Sequence, residues 1–158
     1  MKWIQPFAFV HQSARSGLKN QAIGSSRGGK NTKIHLLINE RMQAVNVVLM
    51  GGHIHDSTAA IDLLEGIDLA GKKILADRAY SCDKIRSYLE RHGAVVCISD
   101  KKNFKVKHDF DTELYRQRNL VERFFQRIKN YRYITFRFDK LADCFLNFVL
   151  LASVVIHF

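Results

Sequence analysis

The sequence predicts an α/β fold, a mixed sheet flanked by helices, and three observations carry that prediction. Lys33 to Asn39 and Ala44 to Met50 are apolar, β-prone runs separated by polar Glu40 to Gln43, the pattern of an antiparallel hairpin. Beyond the hairpin the pattern alternates helix, strand, helix, strand, the order of parallel strands joined by right-handed crossovers. A long amphipathic helix then runs from Tyr115 to Lys129. With 158 residues, 47% of them hydrophobic, the chain makes one domain with its own core and leaves no room for two.

Before the hairpin, Phe7 to Val10 reads as a short strand. Residues 13–33 are rich in Ser, Gly, Asn and Lys and read as a flexible basic loop. Within them Gly24, Gly29 and Lys30 fit the phosphate-cradling pattern G-x-x-x-x-G-K-[ST]. Asn31 stands where that loop needs a Ser or Thr for magnesium, and a strand pattern follows instead of a helix, so a nucleotide loop is rejected. Gly51 and Gly52 end the hairpin. Next come His53, His55 and Asp56, spaced closely enough to suggest metal ligands, although such a cluster beside a turn is more often structural. Asp56 or Ser57 caps a helix from Thr58 to about Glu65, in which Ala60, Ile61 and Leu64 keep the helical period.

Ile74 to Ala76 is a short apolar strand stopped by Asp77. A helix over Cys82 to His92 turns Ile85, Tyr88 and Leu89 inward and closes on Gly93, and Ala94 to Ile98 is the next strand. In parallel layers function gathers at the carboxyl ends of strands, and Asp77 sits at such an end. A capping or turn role explains the same Asp. Lys101 to His108 is a basic loop suited to backbone phosphates. In Tyr131 to Asp139 aromatics interleave with Arg, which fits nucleic-acid stacking or an ordinary core edge. Leu141 to Phe158 is a helix apolar on nearly all sides, which must be buried or dimer-forming.

In the Tyr115 to Lys129 helix, Tyr115, Arg118, Glu122 and Lys129 fall on one polar stripe at spacings of 3, 4 and 7. Leu114, Val121, Phe125 and Ile128 form the apolar stripe beside it. A carboxylate amid Arg118, Arg123 and Lys129 is what a site needs to hold a metal ion and polyanionic phosphates together. An amphipathic helix with an Arg118–Glu122 ion pair has the same spacing.

A net charge of +10 and a pI near 9.7 point to a polyanionic partner. Residues 1–39 hold six Lys and Arg and no acid, and residues 101–137 hold eleven against four acids. Cys82, Cys97 and Cys144 lack ligand spacing and read as reduced, buried thiols of a cytoplasmic protein. The longest apolar run, Phe148 to Ile156, is too short to span a bilayer.

Four segments together, S-R-G-G-K-N-T-K-I-H (26–35), G-H-I-H-D-S (52–57), I-L-A-D-R-A-Y-S (74–81) and L-Y-R-Q-R-N-L-V-E-R-F-F-Q-R-I-K (114–129), resemble the catalytic domain of DDE-class bacterial insertion-sequence transposases, in the insertion-sequence-five group. Tyr115, Arg118, Glu122 and Lys129 match that family's motif at all four positions. The resemblance implies an RNase H-like fold and metal-dependent cutting and joining of DNA at element ends. It implies Asp77 and Glu122 as catalytic, metal-holding carboxylates for two Mg2+ or Mn2+ ions. Arg118 and Lys129 follow as contacts to element-end DNA, with Tyr115, Arg123 and the basic Arg27, Lys30 and Lys33 as further DNA-binding candidates. It implies a homodimer on DNA at the nucleoid.

The chain also departs from the family pattern. The family's first catalytic Asp lies on the opening strand, and no Asp precedes Asp56 here; Ile4 is the position that aligns. The expectation is an altered or missing first strand in a downstream-frame or truncated product, joined in some related elements to an upstream-frame transposase product. A catalytically inactive DNA-binding remnant and an RNase H-like nuclease are the competing readings. Asp56 is expected not to reach the carboxylate cluster.

Overall fold

A computed structural model of the chain describes residues 2–4, 7–14, 19–100, 108–109, 111–117 and 119–157, with the side chains of residues 2–4 and 7 outside that description. The fold is α/β, a mixed eight-stranded sheet flanked by helices, as expected of an RNase H-like domain.

The opening strand is present, in two pieces: β1 (Lys2–Ile4) and β2 (Phe7–Val10). Both pair antiparallel with β4 (Gly29–Ile38), whose hairpin partner on the other side of a tight turn is β3 (Gly24–Ser26). The pairs Ile4↔Leu36, Phe7↔Lys33 and Phe9↔Asn31 keep one register, so β1 and β2 follow a single line along β4. Pro6, which has no N–H to give a ladder, falls between them.

The loop expected over 13–33 is corrected over 24–33, which are strand residues around the turn Arg27–Gly28; residues 15–18 lie outside the described residues. Gly24 and Gly52 explain why a strand fits there. A Cβ on Gly24 would lie 2.1 Å from His53 Nδ1, and one on Gly52 1.8 Å from Asn31 Oδ1, so only glycine lets these backbones meet.

β5 (Ala44–Gly51) completes the expected hairpin. A 3-10 turn (Asp56–Thr58) and α1 (Ala59–Leu64) follow, then β6 (Lys73–Ala76), a second 3-10 turn (Arg78–Tyr80), α2 (Asp83–Arg91) and β7 (Val95–Ile98). β6 runs parallel to β1 on one side and to β7 on the other.

Alternation along β4 sends its side chains to two layers. Ile34, Leu36 and Ile38 face a core that holds α4 (Asn119–Ile128) and α6 (Ala142–Val155), while Leu37 joins a second core with α1 and α2. Before α4 lies α3 (Thr112–Arg116); between α4 and α6 lie α5 (Arg132–Thr135) and β8 (Phe136–Arg137), parallel to β2.

The single helix expected over Tyr115 to Lys129 is two helices, with Gln117 as the C-cap of the first. α3 is held at β7, where the Cys97 thiol donates to Asp111 O (3.3 Å) and the Ser99 and Tyr115 hydroxyls share a bond of 2.9 Å. α4 is held elsewhere, by burying Val121, Phe124, Phe125 and Ile128 in the first core. The two tethers are met by two short rods, and Leu114 belongs to a different helix from the apolar stripe it was expected to extend.

The last helix, expected to be buried or dimer-forming, is buried on one side only. Its Phe145 and Val149 are buried, but Phe148, Leu151 (60% exposed), Val154 and Val155 are not. Cys144, expected to be buried, is exposed on the same helix, while Cys97 is buried and Cys82 half-buried. Among the described residues no helix is long and apolar enough to cross a membrane.

Candidate active site

Asp77 follows β6 directly. Its side chain accepts from the Arg78 amide (2.7 Å), capping the 3-10 turn that carries Tyr80. Register puts a particular residue across from it. β1 pairs with β6 as Lys2↔Leu75 and Trp3↔Ala76, and one further step in the same ladder sets Ile4 opposite Asp77. Position 4, where the family pattern would have its first carboxylate, is an isoleucine. Glu122 lies in the first turn of α4, exposed, on a helix that packs against β1. Both candidate carboxylates are therefore carried by elements that flank β1, one in the sheet and one from the helical layer.

Among the described residues Asp56 forms no three-acid cluster with Asp77 and Glu122, in line with the expectation, although its turn is a neighbour. The 3-10 turn it begins packs against the turn that follows Asp77, so the two acids come from adjoining turns. The Asp56 carboxylate is held by Lys33 Nζ at 2.6 Å, and the same ammonium donates to Ile54 O. His55 accepts from the Ser57 amide and bonds its hydroxyl (2.7 Å), the capping role of a structural turn.

Beneath the acids His35 and Tyr80 are both fully buried, joined Nδ1 to hydroxyl at 2.7 Å. Burial lowers the His35 pKa to about 4, opposed by the Asp56 charge and assisted by Lys33. Burial first, then the charges of Asp56 and Asp77, push the Tyr80 hydroxyl above its ordinary value. Their bond thus joins a protonated hydroxyl to a neutral ring, and among the described residues His35 Nε2 has no hydrogen-bond partner.

A second buried network fixes the end of β7. Arg86 Nη2 donates to Asp100 Oδ1 (2.6 Å) and to Ile98 O (2.7 Å), the Ser81 hydroxyl reaches the same carboxylate, and the His108 amide donates to Asp100 Oδ2 (2.6 Å). Burial would raise the Asp100 carboxyl; the His108 amide and ring, then Arg86, outweigh it and hold it below its ordinary value. Sequence reasoning missed this network, since no short spacing links Ser81, Arg86, Asp100 and His108.

The basic candidates are dispersed. Arg27 sits at the exposed turn between β3 and β4, Lys30 is exposed on β4, and Lys33 is the partner of Asp56. Arg123 and Lys129 are exposed on or just after α4, while Tyr115 is half-buried at Ser99. Arg118 and the basic loop 101–107 lie outside the described residues. Arg137, part of the aromatic and basic run, is buried and structural: it donates to Gln21 O (2.8 Å) and Thr32 Oγ1 (2.9 Å), and its guanidinium lies over the Phe145 ring.

Asp77 and Glu122 are hard oxygen donors suited to a divalent ion. Among the described residues, however, no three His, Cys, Asp or Glu side chains gather as a metal cage. With Ile4 opposite Asp77, the donor set does not fit a pair of ions.

Comparison with known proteins bears on the same elements. The family model described as "Transposase DDE domain" matches residues 9–156. The chain is also 30% identical over 126 residues, 79% of its length and 96% of the other's, to a putative transposase for insertion sequence element IS6501 from Brucella ovis.

Proposed function

The chain belongs to the transposase DDE-domain family, and on that premise we propose that it is the strand-cutting and strand-joining domain of an insertion-sequence transposase of the insertion-sequence-five group, weakened by the residue at position 4. The observation that carries this reading is the register that sets Ile4 opposite Asp77, beside the helix that bears Glu122. Asp77 and Glu122 are the two carboxylates the reaction would use, and position 4, aligned with the family's first carboxylate, holds an isoleucine.

A divalent ion bound by Asp77 and Glu122 would supply Lewis-acid polarisation of a phosphate oxygen and a more acidic bound water. The chain's own residues supply the rest. The exposed cations Arg27, Lys30, Arg123 and Lys129 attract the phosphate backbone and set its path, with Arg118 joining them by its place in the family motif. Lys33, fixed by Asp56, ties β4 to the turn that Asp56 begins. The exposed apolar face of α6 supports a homodimer on DNA, since self-association would cover it. A DNA-binding remnant without catalysis is the second reading, favoured by Ile4.

Cleavage of plasmid DNA bearing the element ends, with Mg2+ or Mn2+, tests both. The chain as it stands should bind DNA and cut it weakly or not at all. Ile4→Asp should raise cutting at least about tenfold, the scale of one restored charged ligand. Asp77→Asn or Glu122→Gln placed on that background should remove the gain while DNA binding persists. Cutting that survives Asp77→Asn would overturn the site, and an Ile4→Asp chain that binds DNA yet never cuts would leave the remnant reading in place.

A further inference from the structure

Beyond Asp77 along the line of β1 and β2, the sheet carries a surface that the catalytic reading does not use. Phe9 on β2 and Phe136 on β8 are register partners, 38% and 43% exposed, with ring centroids 5.9 Å apart and planes inclined by 29°. Side chains at paired positions point to the same face, and Phe9 also pairs with Asn31. On that face Phe9, Arg27, Asn31 and Lys33 line a groove of about 430 Å³. Gly52 lines the same groove, where any side chain would collide with Asn31.

The chemistry of this surface is specific. Two phenyl rings stacked at the surface of a chain of net charge +10 offer an apolar plane, and two cations stand beside it, one exposed at a turn and one fixed by Asp56. A plane flanked by cations fits a planar base joined to a phosphate. In a duplex the base faces are hidden by stacking, so rings can meet one only at an unpaired nucleotide.

We propose that the Phe9–Phe136 platform and the adjoining groove bind an unpaired nucleotide of a DNA strand, its base against the rings and its phosphate toward Arg27 and Lys33. The inference rests on the transposase reading for the identity of the nucleic acid as DNA. Along β4 the groove lies five residues from the Leu36–Ile4 pair, roughly 17 Å at the rise of a strand, and that odd step sets it on the face of the sheet opposite to Leu36, so it is a site separate from the carboxylates.

The test is binding without metal, by fluorescence anisotropy, to a labelled single strand and to the matching blunt duplex. Phe9→Leu and Phe136→Leu keep apolar bulk at half-exposed positions and should each weaken single-strand binding about fivefold or more, with duplex binding and the salt slope unchanged. Phe9→Trp should retain wild-type affinity. Arg27→Ala should weaken both substrates and flatten the salt dependence. A measurement on the unaltered chain backs these up: a single strand of equal charge but with abasic positions should bind about fivefold more weakly. Unchanged single-strand binding by the Phe9→Leu/Phe136→Leu chain, equal losses on single strand and duplex, or indifference to abasic positions would each overturn the platform. Failure of the transposase reading would register in the cleavage assay instead, where Asp77 and not Phe9 decides the outcome.

Discussion

The two faces of β4 differ in kind, although they come from alternate residues of one strand. Ile34, Leu36 and Ile38 point into a core that is apolar except at the far edge, where Arg137 enters. His35 and Leu37 point the other way, toward a layer whose core also contains the Tyr80 hydroxyl and whose rim carries the Lys33–Asp56 and Arg86–Asp100 pairs. One face is held by area removed from water, and the other by a second apolar core to which buried polar pairs are added.

The comparison breaks first on the apolar side. Phe124 on α4 is fully buried and touches the Phe125 ring edge to face, with centroids 5.9 Å apart. Phe124→Ala should cost about 4 kcal/mol, the usual loss when a buried ring leaves a cavity. Urea unfolding checks it, and the loss should be the same at every pH where the chain folds. A pH-dependent loss would mean that the two faces are not separable in this way.

On the polar side Arg86→Ala should cost about 3 kcal/mol, because it strands the buried Asp100 carboxylate. This loss should depend on pH. Asp100 is held below its ordinary value in the fold, so its contribution is complete above the unfolded carboxyl value of 3.8 and fades as pH falls through the lower folded value. In the background of Asp100→Asn, Arg86→Ala should cost markedly less, and a double-mutant cycle reads the coupling directly. Simple additivity would show that Arg86 stabilises through Ile98 O and packing alone.

Much of this was legible in the sequence, for physical reasons that differ by element. The β4–β5 hairpin, β6, β7 and α2 have strong local periodicity, and tertiary packing agrees with it. Asp77 could be placed because the stop of a short apolar run marks a strand end. The break at Gln117 could not, since nothing in Tyr115 to Lys129 disfavours a helix; the split arises from tethers to Ser99 and Cys97 on another element. The strand at Gly24–Ser26 was hidden for the opposite reason. Its glycines read locally as loop, and their use, close approach to His53 and Asn31, exists only in the folded sheet. The place of Asp56 beside Asp77 depends on two turns packing across the layer, which no spacing along the chain encodes.

The finest division between the faces is a matter of one proton. His35 is neutral in the fold, with its pKa lowered from 6.5 to about 4. The unfolded chain therefore binds more protons than the folded chain between those two values, and stability must rise with pH across that window. The contribution is complete above about pH 6.5 and is lost as pH falls toward 4, with a slope of at most about 1.4 kcal/mol per pH unit. His35→Gln keeps a polar group for the Tyr80 hydroxyl, so at neutral pH it should cost only about 1 kcal/mol. Its real signature is the slope. Whatever the other ionisable groups contribute is common to both chains, and subtracting the two stability curves leaves the His35 term alone. The difference in unfolding free energy, measured by urea melts between pH 4 and 7, should therefore narrow or reverse as the buffer is acidified. A constant difference would mean that His35 is not held neutral, and that the polar face of β4 owes its stability to packing, as the other face does.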